Sequence, residues 1–214
     1  MKIGGRLGVN WYLTRPENVD PVGNKDGEKR HHIGVKRWRG WEYDLLGKLS
    51  SLSLLSDRRI ERIGQLEILP PDTLFVGEQV PVEGRALWHE RAGKRVSEAS
   101  IVFLDPDNGF EVPSMSRRRA PKYAFYSEAA DYLRMGKIVV SIQFARQCDP
   151  ITRGQAVRLR LMEVSNLHDA VPIIRARMAP NLLFIAQAPA LIKAQLTLAI
   201  ESFAQNREKI DLIY

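Results

Sequence analysis

Apolar positions along this chain follow two rhythms. Unbroken or alternating apolar runs predict strands over residues 7–13 (LGVNWYL), 66–69, 74–76, 100–104 (SIVFL) and 137–144 (KIVVSIQF). Apolar residues at helical spacing predict helices over residues 42–49, 83–93, 127–135, 155–164 and 189–205. Ser127 is the candidate cap of the third of these and Gly136 its stop. Pro70-Pro71 can neither continue a helix nor donate to a ladder, so the run at 66–69 must end there. Late in the chain, residues 171–178 and 182–187 flank Pro180-Asn181 and predict an antiparallel hairpin.

Strands that alternate with helices imply a parallel sheet, because parallel neighbours need crossovers. The expectation is an α/β fold, three-layer and Rossmann-like, with a mostly parallel sheet and a late antiparallel hairpin. One domain over 1–214 is expected, with a mobile basic loop at about 14–41. That loop is rich in Pro, Gly, Asn and Asp and long for a connection inside a domain. In such sheets the ligand site lies beyond the carboxyl ends of the strands.

The 214 residues are 44% apolar and 27% charged, which excludes a fibrous or wholly disordered chain. A single cysteine, Cys148, excludes an internal disulfide and a cysteine-rich zinc site. No apolar run approaches the ~20 residues of a membrane-spanning helix. The first residues lack the apolar core of a secretory signal, so a cytoplasmic protein with no membrane partner is expected.

Charge changes the picture more. The formal net charge is +7, and the positive residues cluster. Residues 29–39 hold five Lys/Arg, two His and no acid; Lys29, Arg30, Arg37 and Arg39 are the candidate phosphate contacts there. Arg117, Arg118 and Lys122 form a second cluster, and Arg153, Arg158 and Arg160 a third. Arg146 follows the strand at 137–144, near the expected site edge, where a guanidinium holds phosphate bidentately. Such clusters attract polyanions, and Trp38, Trp41 and Tyr43 offer rings for unpaired bases, so nucleic acid is the expected partner.

The most informative segment is IVFLDPDNGFE, residues 101–111. An apolar strand runs directly into Asp105, Pro106, Asp107, Asn108 and Gly109. In an extended segment Asp105 and Asp107 point to one side. Two close carboxylates suit a divalent cation or a shared proton. Under a magnesium-dependent nuclease or phosphoesterase reading, Asp105, Asp107 and Glu67 are the candidate metal ligands. Asp26 and Glu28 are further acids in the long loop. His31 and His32 are adjacent and point apart, poor geometry for one zinc ion.

Three resemblances bear on these residues. Asp105-Pro106-Asp107-Asn108 resembles the D/N-P-P-Y/F motif of nucleic-acid amino-methyltransferases, which stands at the end of the fourth strand of a Rossmann-like sheet. Asp107 and Asn108 replace the second proline and the aromatic residue. That resemblance implies S-adenosylmethionine as cofactor and a target amine held near Asp105 and Asn108. The glycines Gly4, Gly5 and Gly8 precede or lie in the first strand, rather than following it as that family's cofactor loop does. FLDPDNG also looks like the D-x-D motif of haloacid-dehalogenase-type phosphatases, which implies Asp105 as nucleophile, Asp107 as acid/base and Ser141 at the end of the next strand. Finally, LGVNWYL and FLDPDNGFE resemble a bacterial and phage-borne group, and that resemblance implies no particular activity.

The leading expectation is thus a nucleic-acid-modifying enzyme resembling an amino-methyltransferase, with Asp105, Asp107 and Asn108 at its centre. The alternatives are the magnesium-dependent phosphoester hydrolase and a non-catalytic nucleic-acid- or partner-binding protein of a phage or defence module.

Overall fold

A computed structural model of the chain describes residues 4–15, 19, 43–54, 60–177, 181–205 and 207–214. Contacts divide the chain into two compact units, Met1–Val19 with Leu74–Tyr214, and Asp20–Thr73. The second unit contains helices α1 (Tyr43–Leu54) and α2 (Glu61–Gln65).

The first unit is a mixed α/β fold. Its strands are β1 (Leu7–Asn10), β2 (Leu74–Val76), β3 (Ile101–Leu104), β4 (Ile138–Ala145), β5 (Ile173–Ala176), β6 (Asn181–Gln187) and β7 (Ile210–Ile213). Its helices are α3 (Arg85–Arg95), α4 (Tyr126–Arg134), α5 (Pro150–Ser165) and α6 (Ala190–Ala204), with a 3-10 helix at Arg117–Lys122. The seven strands form one sheet in the order β2-β1-β3-β4-β6-β5-β7. The first four strands pair in parallel. β6 then pairs antiparallel with both β4 and β5, and β7 antiparallel with β5. The expected late hairpin is therefore β5–β6.

Strand alternation divides the core. Val102, Leu104, Val139, Ile173, Leu183 and Ile185 share a cluster with Trp88 and Ala92 of α3, Tyr132 of α4 and Leu161 of α5. Ile101, Ile138, Val140, Ile174 and Ala186 instead meet Leu196 and Ile200 of α6. Period-two alternation produces this division, because neighbouring strand residues point to opposite faces. Each fully buried large side chain contributes about 1.5–3 kcal/mol.

Several boundaries differ from the sequence expectation. Residues 66–69 form no strand; they follow α2 as a turn, and Glu67 has a left-handed φ of +51° that a strand does not accommodate. β1 ends at Asn10 because Tyr12 turns into the left-handed region at φ +48°. Ser127 does not cap α4. The helix starts one residue earlier, and the Glu128 carboxylate accepts the Phe125 N–H at 3.1 Å. α5 is longer than its apolar spacing indicates, because Asp149 accepts the Thr152 N–H at 2.7 Å and Pro150 occupies the first turn. The C-terminal residues, which the apolar pattern leaves unassigned, complete the sheet as β7. No described helix is long and apolar enough to cross a membrane.

Candidate functional site

The order β2-β1-β3-β4 reverses direction at β1, so the crevice between the carboxyl ends of β1 and β3 is a topological switch point. The DPDNG segment opens onto it. The Asp105 N–H donates to the Asn10 carbonyl at 2.9 Å, which carries the β1–β3 ladder one residue past the strand. The chain then turns. The Asn108 N–H donates to the Lys122 carbonyl at 2.9 Å, and Gly109 takes φ +82°. A side chain at 109 would be strained at that φ, and its Cβ would stand 2.4 Å from Gln143 Oε1, so Gln143 would have to shift. Gln143, buried on β4, accepts the Phe110 N–H at 2.9 Å and donates to the Phe144 carbonyl at 3.0 Å. β4 thereby clamps the far end of the turn.

The two acids end in different environments. Asp107 is exposed, and its carboxylate lies 3.4 Å from the ammonium of Lys122, which is mostly covered. The Asp105 carboxyl is partly buried and has no hydrogen-bond or ion-pair partner among the described residues. Burial, and behind it the charge of Asp107, pushes its pKa up from 3.8 to about 6. Desolvation and the neighbouring charge are the two causes that commonly shift the pKa of a carboxyl at a crevice.

Beside the turn, at the carboxyl end of β4, lies a cleft of about 370 Å³ lined by Asn108, Tyr123, Phe144, Arg146, Cys148 and Arg153, among others. The Arg146 guanidinium lies 4.9 Å from the Phe144 ring centroid. Arg153 stands in the first turn of α5, and Cys148 is a free, exposed thiol.

A larger cavity of about 670 Å³ separates α3 from α4, with Arg85, His89, Glu128 and Asp131 in its wall. Its charged groups satisfy one another. Arg85 donates to both Glu128 oxygens, at 2.6 and 3.0 Å, and to the carbonyls of Ala120 and Tyr123. The guanidinium also stacks 3.7 Å from the Phe125 ring centroid. Tyr12 donates its hydroxyl to Glu128 at 2.9 Å, and desolvation together with the Glu128 charge raises the Tyr12 pKa. This network works on the site indirectly. It anchors the segment that carries Lys122, the partner of Asp107, and Tyr123, a wall of the smaller cleft.

The other candidates fall as follows. Arg117 pairs with Glu83 at 2.9 Å on the surface, and Arg118 is engaged elsewhere. Glu67 belongs to the second unit, where its carbonyl accepts from Lys48 at 3.2 Å. Lys29, Arg30, Arg37, Arg39, Asp26, Glu28, His31 and His32 lie outside the described residues. Ser141 does not end β4; it is buried at mid-strand opposite Leu104, unlike the serine that the phosphatase resemblance implies. The apolar pattern gives no sign of Arg153 as a cleft residue or of the Arg85–Glu128–Tyr12 network. Arg153 stands in a visible basic cluster, but only the start of α5 at Pro150 brings it into the wall of the cleft that Arg146 also lines.

Gly5 and Gly8 pack against protein and supply no counterpart to the Gly-rich cofactor loop that the methyltransferase resemblance implies. A Cβ on Gly8 would stand 2.9 Å from Val96, and one on Gly5 2.6 Å from Ser100, so these glycines admit neighbouring protein rather than a ligand. Past the strand, Trp11 stacks on Phe75 at 6.2 Å, and Tyr12 is buried. Oxygen donors at Asp105 and Asp107 do suit magnesium, which takes one or two carboxylates and completes its shell with water and substrate phosphate. No group of three His, Cys, Asp or Glu side chains gathers as a cation site among the described residues. Comparison with protein-family models, with curated proteins and with solved structures finds no match to this chain.

Proposed function

We propose that the protein is a phosphoester hydrolase acting on nucleic acid, with Asp105 as its proton acceptor. The observation that carries this reading is the Asp105 carboxyl at the β1–β3 switch point, partly buried and without a partner among the described residues, with a pKa of about 6. The reading also takes the sheet as Rossmann-like and three-layered, which the packing of helices against both core clusters supports. Asp105 removes a proton from water as the water oxygen attacks phosphorus, and the bond from phosphorus to the leaving oxygen breaks. The Lys122 ammonium, held at the crevice by Asp107, offsets charge that gathers on the phosphoryl oxygens. Magnesium held by Asp107 would supply further positive charge to those oxygens and leave the Asp105 carboxyl as the proton acceptor. Arg146 and Arg153 hold the adjoining backbone.

A second reading is group transfer to a base amine, with Asp105 and Asn108 orienting the nitrogen. One observation favours it: β6 runs back between β4 and β5, where the amino-methyltransferase resemblance puts its late hairpin. The test is cleavage of single- and double-stranded DNA and RNA with magnesium titrated from zero. Magnesium-dependent cleavage that falls at least 100-fold in Asp105→Asn is expected, in line with the loss of a general base. Undiminished cleavage in that variant overturns the assignment of Asp105. No cleavage, with a thermal shift on adding S-adenosylmethionine, supports the second reading. Salt-sensitive binding without turnover points to the non-catalytic binding protein.

A further inference from the structure

The cleft beside the DPDNG turn has features that hydrolysis at Asp105 does not itself require. Neither Arg146 nor Arg153 has a carboxylate partner among the described residues, although most cationic side chains of this unit are paired. Arg146 is stacked over Phe144, so its face is occupied, while its N–H edge makes no hydrogen bond among the described residues and suits a phosphate. The side-chain carboxamide of Asn108 makes no hydrogen bond among the described residues, and a free carboxamide presents both a donor and an acceptor. Tyr123 supplies an aromatic wall. At about 370 Å³ the cleft has room for one small ligand and is far too small for a duplex.

We propose that this cleft is a subsite for one unpaired nucleotide. Arg146 and Arg153 take its 5′-phosphate, Tyr123 stacks on the base, and Asn108 reads a polar base edge. The proposal rests on the reading of this protein as one that acts on nucleic acid, and it narrows the substrate to single-stranded or end-frayed chains. A base in the cleft is held by stacking, which every base offers. The phosphate contributes through charge-assisted hydrogen bonds from two guanidinium groups.

Cys148 makes the test direct, because it is the chain's single cysteine and lines the cleft with its thiol exposed. The rate at which a thiol reagent modifies Cys148 in the full chain is measured alone and with adenosine 5′-monophosphate, cytidine 5′-monophosphate, adenosine or inorganic phosphate. The monophosphates are expected to slow modification at least fivefold, and adenosine or phosphate less than twofold. Arg146→Gln combined with Arg153→Gln is expected to abolish protection while Cys148 reacts at the unprotected rate and the melting temperature is unchanged. If the double variant unfolds, each single variant is measured instead, with at least a threefold loss of protection expected. Absence of protection by both monophosphates at millimolar concentration overturns the proposal. So does equal protection by adenosine, or protection that survives the double substitution. Protection without cleavage would sink the hydrolase reading and leave the subsite standing; cleavage without protection would do the reverse.

Discussion

At the scale of single residues, Asp105 couples chemistry to stability. Its pKa is raised from 3.8 to about 6, so folding favours the protonated form. The stabilising effect is complete below pH 3.8 and is lost as pH rises through about 6, above which the fold bears the full cost of a desolvated charge. Asp105→Asn should therefore raise stability at pH 7 by about 3 kcal/mol, a gain that fades between pH 6 and 3.8. Chemical denaturation of both proteins across that range measures it. Catalysis by the carboxylate runs the other way: the rate should climb tenfold per pH unit below about 6 and level off above it. A destabilising group that is indispensable to activity is the expected mark of a functional site. Gly109 is the second decisive residue. Gly109→Ala combines a strained φ of +82° with a collision against Gln143, whose Oε1 accepts the Phe110 N–H. We expect a loss of about 2 kcal/mol or more, read from the denaturation midpoint, together with reduced activity as the turn shifts.

At the scale of elements, the site depends on how α3 and α4 are joined. Arg85 at the start of α3 and Glu128 in the first turn of α4 form a buried ion pair that also ties down Tyr12 and the carbonyls of Ala120 and Tyr123. Removing one partner leaves the other charge buried and alone. Glu128→Ala should cost about 3–5 kcal/mol. It should also loosen the segment that carries Lys122 and Tyr123, so hydrogen exchange over residues 117–125 should accelerate more than the global loss accounts for. Uniform acceleration would show that the pair supports the fold alone. Asp149 has a smaller task at the start of α5, where its carboxylate takes both the N–H and the hydroxyl of Thr152 at 2.7 Å. These bonds hold the Asp149 carboxyl below its usual range. The same turn of α5 brings Arg153 to the cleft.

At the scale of the whole molecule, β3 and β4 are interior strands of the sheet, while β2 and β7 are its edges. Amides of β3 and β4 should therefore exchange at rates near the global unfolding limit, and those of β2 and β7 earlier, as fraying edges do. Fast exchange in β3 would remove the rigid base on which the DPDNG turn is placed. The acids sit at the end of such a strand and Arg146 just past the end of its neighbour, so two short, differently charged features share one edge of the sheet.

Much of this was legible in the chain itself, because local patterning decides local structure. SIVFL and KIVVSIQF are apolar enough to be buried on both faces, and no partner is needed to recognise them as inner strands. The strand–helix alternation implied a mostly parallel sheet, of which three of the six strand pairings are parallel, and the late pair of apolar runs implied a hairpin. The DPDNG segment announced a turn with two acids at a strand end. Tertiary structure decided what depends on neighbours distant in sequence. Asp105 and Asp107 are chemically alike, yet only the fold partly buries one without a partner among the described residues and sets Lys122 against the other. Residues 66–69 read as a strand, but Glu67 is left-handed and the run pairs with no strand among the described residues. Asn10, Tyr12, Arg85 and Glu128 are scattered along the chain and converge only when α3 and α4 dock on the sheet. Periodicity follows from the geometry of one segment; burial and charge pairing follow from the packing of many.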